Sequence, residues 1–208
     1  MMHQLNLHFS QNDLEVFQQS GLQVALVKSG PDAWPSVTWI AFSPYMSNVI
    51  TWEENYEIYT SQSQLQPGSE IIMDSTLPAQ PGRKYMYQNM FLQDAGPQDG
   101  GTPDRFQLVN RNSQMVTAGL AQGAEVNGQF FSPGPVGAVQ VFPDQSTFLT
   151  PANQVLVFAT PFIQGGTVTS QLPGNALRLD FQSGNPSQSV RFDLRTGGFV
   201  PDQMPAIQ

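Results

Sequence analysis

The chain has 208 residues, enough to bury a substantial core as one large β domain or as two smaller units. Only 12% of the residues are charged and the net charge is −8, while 39% are hydrophobic, with 14 Phe, 17 Pro and 18 Gly; this excludes a disordered chain and implies many short elements. Both halves are acidic, Arg83–Lys84 is the only adjacent basic pair and cysteine is absent, which argues against nucleic-acid binding and polybasic lipid docking and excludes disulfides, thiol catalysis and cysteine-ligated metals.

The amino terminus, "MMHQLNLHFSQNDLEVF", has no basic region followed by an apolar core, and no run of 18 apolar residues occurs. The expectation is a cytoplasmic protein, or one released without a cleaved signal peptide. His3 and His8 are the only histidines. They are expected in a mobile terminus, where they build neither a catalytic dyad nor a metal site. Helical spacing is confined to "SQNDLEVFQQSG", in which Ser10 or Asn12 caps a single turn.

From Leu22 onward strand signals dominate. "LQVALVKSG", "SVTWIAFS", "NVITW", "YEIYTSQ" and "EIIMDST" are short β-branched or aromatic runs bounded by Gly, Pro, Asn or Asp. Trp34, Trp39, Tyr45, Trp52, Tyr56 and Tyr59 all fall within residues 34–59. Trp39, in a run apolar on both faces, belongs in the interior; Trp34 and Tyr45, each beside a Pro, are placed for exposure. In "NVITWEENYEIYT" the adjacent Glu53 and Glu54 cannot by themselves form the converging carboxyl pair of a glycosidase, because neighbours on a strand point to opposite faces. Two readings stand for this stretch. It is either a hairpin with "EEN" at its tip and Ile50, Trp52, Tyr56 and Ile58 packed on the flanking strands, or a binding face in which Trp52 and Tyr56 present rings and the acids accept hydrogen bonds. The candidate binding residues are therefore Trp34, Tyr45, Trp52, Glu54 and Tyr56.

Residues 94–104, "DAGPQDGGTPD", form the best linker in the chain. Beyond it come the strand signals "RFQLVNR", "QMVTAGL", "GAVQVF", "QVLVFAT" and "GTVTSQL". From Asn112 to Leu177 only Glu125 and Asp144 carry charge, so this stretch is expected to be covered by the first half or by another protomer, to hold a neutral sugar site, or to rearrange into a membrane barrel. The last two runs, "ALRLDF" and "SVRFDLR", alternate apolar and charged residues. They read as a hairpin with cross-strand Arg and Asp pairs on a wet face.

A weak similarity between the segments beginning at Phe42 and Phe142 suggests a duplicated unit of about 100 residues. The expected fold is thus all-β: a β-sandwich of two pseudo-repeated antiparallel units, 1–95 and 105–208, joined by 96–104 or fused into one domain. No G-x-S-x-G elbow and no phosphate-cradling loop is present, so catalytic residues, metal ligands and cofactors are none. The expected function is a non-enzymatic recognition or self-assembling module forming homo-oligomers. A β-pore-forming, lipid-directed protein is the first alternative. The second is a glycan-binding or carbohydrate-active protein, using Glu54 or Glu57 with Asp180 or Asp193.

Overall fold

The computed structural model describes residues 1–29, 36–151, 153–169, 171–181 and 184–202. Among them the chain forms one helix and eighteen strands. In order these are β1 (Met2–His8), α1 (Gln11–Ser20), β2 (Leu22–Ser29), β3 (Ser36–Phe42), β4 (Ser47–Glu53), β5 (Tyr56–Ser61) and β6 (Ser75–Ala79). The middle of the chain supplies β7 (Arg83–Gln88), β8 (Phe91–Pro97), β9 (Phe106–Asn110), β10 (Val116–Val126), β11 (Gln129–Pro135) and β12 (Val139–Val141). It ends with β13 (Ser146–Leu149), β14 (Gln154–Pro161), β15 (Val168–Thr169), β16 (Leu177–Asp180), β17 (Ser187–Asp193) and β18 (Gly198–Pro201). The protein is mostly β with several sheets, consistent with an all-β sandwich.

The largest sheet runs β18-β17-β1-β4-β10-β5-β6, with β11 and β12 also on β10. Residues 117–121 of β10 pair β5 and 125–126 pair β4, while β12 and β11 take the opposite edge. A second sheet runs β13-β9-β7-β8 and a third β15-β3-β2-β14-β16. Strands from either side of residues 96–104 pair throughout: β1 with β17, β2 with β14, β4 and β5 with β10, and β7 with β9. Residues 94–97 of the expected linker are the end of β8, tied down by the Arg83–Asp94 ion pair at 2.7 Å. The pairing does not confirm the expected duplication. β4 and β5 both lie along β10, whereas their counterparts β13 and β14 belong to different sheets.

Alternation explains which residues line the interior. In β1 the odd positions His3, Leu5 and Leu7 are buried, and in β2 Val24, Leu26 and Lys28 share one face while Ala25 and Val27 meet Leu156 and Phe158 on the other. The main core draws Leu5 and Ile50 from the first sheet, Tyr85 and Leu108 from the second, and Val24 and Val155 from the third. The uncharged stretch follows from the same layout, since β10 is flanked on both edges and buried at nine of its eleven positions, and β14 lies between β2 and β16. Charges there would have been desolvated. Packing is closest at Gly119, where an added Cβ would sit 2.0 Å from the Gly137 carbonyl oxygen that the buried Tyr59 hydroxyl also contacts at 2.8 Å.

Four sequence expectations are corrected. The amino terminus is a central strand, not a mobile tail, because its alternating apolar residues fill the core between β17 and β4. The helix is ten residues long rather than one turn. Ser10 caps it in a reciprocal box with Asp13, and Gly21 closes it at a φ of 61°. "EIIMDST" is largely irregular, with the ladder beginning only at Ser75. Finally, "ALRLDF" and "SVRFDLR" do not pair with each other. β16 lies on β14 and β17 on β1, although their apolar residues Leu179, Phe181, Val190 and Phe192 are buried as alternation requires.

Candidate functional site

The stretch "WEEN" interrupts a strand instead of closing a hairpin. β4 and β5 both run antiparallel to β10, so they point the same way, and five residues, 52–56, face three, 122–124. A tight two-residue reversal needs positive φ at its centre. Glu54 and Asn55 do not adopt it, whereas Asn127–Gly128 (φ 53° and 81°) does and makes the β10–β11 hairpin. Gln122 bridges the break, its side-chain amide donating to the Glu53 carbonyl at 2.6 Å.

Two further irregularities fall beside this one. The β2–β3 register skips Trp39, one of four consecutive buried residues from Val37 to Ile40, and its indole N–H donates to the Gln122 carbonyl at 2.8 Å. The β10–β11 register shifts between Gln122 and Ala124. Bulges re-aim side chains where a regular ladder would alternate them. Here they converge on the amine of Lys28.

Lys28 continues the inward face of Val24 and Leu26 and is only 5% exposed. Its Nζ donates to Gln122 Oε1 and lies 4.4 Å from the centre of the Trp39 ring and 5.1 Å from that of Trp52, which cross nearly at right angles. Cation–π attraction and the single amide do not replace a hydration shell. Burial therefore lowers the Lys28 pKa to about 7, the Glu54 carboxylate acting in the opposite sense. Next to it, burial and then the same carboxylate push the Tyr56 phenol up to about 12, with Gln122 pulling down.

Trp52 is sandwiched from behind by His3, stacked at 5.4 Å, and by the edge of Phe181 at 4.7 Å. His3 is 3% exposed and its Nε2 lies 2.8 Å from Glu54 Oε1. An ionised carboxylate only accepts, so Nε2 carries the proton in that contact. Nδ1 is buried without a partner. Beta strand one thus holds the Glu54 carboxylate in place from inside the core.

Glu54 opens onto a cleft of about 800 Å³ at the mouth of the interior. Asp104 and Asp180 line it with Glu54, and so does Arg178; Tyr56, Asn153, Gln154, Ser29 and Thr150 add neutral hydrogen-bonding groups. Pro81 and Pro151 supply the flat apolar surface. Asp104 is held below the usual carboxylate range, first by the Thr102 hydroxyl. The donors and acceptors come from strands of the first and third sheets and from connections next to the second, so no single segment predicts the site.

Of the expected binding residues, Glu54 and Tyr56 come together in this cleft. Trp52 does not present a stacking face, because it is 4% exposed inside the sandwich of His3, Trp39 and Phe181. Tyr45 is exposed but takes no part in lining the cleft, and Trp34 lies outside the described residues. Glu54 and Asp180 share the cleft, while Glu57 and Asp193 do not line it. Sequence reasoning singles out neither Lys28 nor Gln122 and puts His3 in a mobile terminus, although His3 and Lys28 each continue an inward apolar alternation, a position where a titratable group is expensive.

Among the described residues no group of three or more His, Asp or Glu is placed to hold a metal ion, and no helix is long and apolar enough to cross a membrane. Comparison with family models, with curated proteins and with solved structures finds no match, so the functional reading rests on the site itself.

Proposed function

We propose that the chain is a recognition module whose cleft binds a neutral, hydroxyl-rich ligand of the carbohydrate class without transforming it, Glu54 being the central acceptor. The observation that carries this reading is the composition of the cleft around a carboxylate fixed by His3. Three acids and one Arg make the cleft net negative, which disfavours anionic ligands. Carboxylates, amides, hydroxyls and a guanidinium match groups that both donate and accept, as sugar hydroxyls do. Prolines replace the aromatic platform that Trp52 does not provide. Screening immobilised neutral and acidic glycans tests the reading. Binding confined to neutral glycans is expected; binding of none, or of acidic glycans alone, contradicts it.

A second reading has a specific observation behind it, namely that Glu54 and Asp180 reach one cleft from different sheets. Glycoside hydrolysis needs two such carboxyls, one as acid and one as nucleophile or base. Release of reducing ends from a bound glycan, lost in Asp180→Asn, would favour hydrolysis over recognition.

A further inference from the structure

Neighbours on a strand point to opposite faces, and Glu53, next to Glu54, lines a second cavity of about 450 Å³ on the outer side of the largest sheet. This volume lies in the range of small-molecule sites. Among the described residues Glu53, Glu57 and Glu125 line it, and no Lys, Arg or His does. Apolar walls separate the acids: Met2, Pro78, Pro133 and the ring of Phe130.

Phe130 and Glu125 are a cross-strand pair in the β10–β11 hairpin, so ring and carboxylate stand side by side on the same face. Glu125 in turn pairs with Thr51, which brings the hairpin against the break. Phe130 is 69% exposed and Met2 62%, so neither is consumed by the core. The carboxylate of Glu53 is oriented by the Asn55 side-chain amide, which donates to it at 2.7 Å.

We propose that this groove binds an organic ammonium ion with a compact apolar body, such as an arylalkylamine. The cation meets the three carboxylates and the face of Phe130, where electrostatic and cation–π attraction act together. The body covers Met2 and the two prolines. Anions are repelled, and an uncharged apolar ligand would desolvate three carboxylates with nothing in return.

The test is calorimetric titration of the full chain with 2-phenylethylamine and, separately, with the nearly isosteric 2-phenylethanol, at neutral pH and low salt. Saturable binding of the amine is expected, at least tenfold tighter than of the alcohol and weakened severalfold in both Glu125→Gln and Phe130→Ala. Both side chains are exposed, so these variants keep the fold, and unchanged melting curves verify it. Glu54→Gln leaves amine binding intact, which separates this site from the cleft. No binding of the amine, equal binding of the alcohol, or indifference to both substitutions would overturn the proposal.

Discussion

Lys28 sits in surroundings far from what water would offer it. Its folded pKa, about 7, lies below the ordinary 10.5, so unfolding takes up a proton between those values. The unfolded chain binds more protons there, and stability therefore rises with pH across the window, by about 3 kcal/mol from pH 7 to pH 10 at roughly 1.4 kcal/mol per unit. Above pH 10 the trend reverses, because burial raises the phenols of Tyr56 and Tyr59 and the unfolded tyrosines ionise first. Urea unfolding at a series of pH values checks this. Lys28→Met is expected to flatten the profile between pH 7 and 10; a slope that persists in the variant would mean another group carries it. The clue lay in the sequence, since Lys28 follows Val24 and Leu26 at a spacing of two. Reading "LQVALVKSG" as a strand gives its face but not that the end of the strand stays covered.

At the scale of elements, the break between β4 and β5 decides where the chemistry goes. A regular strand would have sent Glu53 and Glu54 to opposite faces of one flat sheet, and the break opens a cavity beside each. Gln122 holds the break, donating to Glu53 and accepting from Lys28. Gln122→Leu keeps the volume but leaves a part-buried carbonyl and the buried Lys28 amine without their partner, so a loss of about 2 kcal/mol is expected in chemical denaturation. Combined with Lys28→Met the loss falls short of the sum, because the amine no longer needs its partner; strict additivity would contradict the coupling. Much of this level was legible. Alternation gives the buried Leu179, Phe181, Val190 and Phe192, although Leu194, expected on the same face, is exposed, and of the two expected caps, Ser10 and Asn12, it is Ser10 that caps the helix. The hairpin reading of "EEN" failed because Asn and acids suit both a turn and a bulge, and only the partner β10 distinguishes the two.

For the whole molecule, pairing links residues far apart in sequence, and period-two alternation carries no information about which strand lies next to which. The placement of β1 between β17 and β4 and of β10 against β4 and β5 could not be read from one chain. Because strands on either side of residues 96–104 complete one another's sheets, segments 1–95 and 105–208 expressed separately are expected to lack cooperative unfolding. A sharp thermal transition in either would show an independent unit. The same interleaving assembles the cleft, since Glu54, Asp104 and Asp180 come from three regions of the chain. The central claim is that two adjacent carboxylates, Glu53 and Glu54, serve two different sites. The measurement that tests it most directly is titration of a neutral glycan selected in the screen into the wild type, Glu54→Gln and Glu53→Gln. The account predicts at least a tenfold loss of affinity for Glu54→Gln and wild-type affinity for Glu53→Gln; equal effects of the two substitutions, or none from Glu54→Gln, would contradict it.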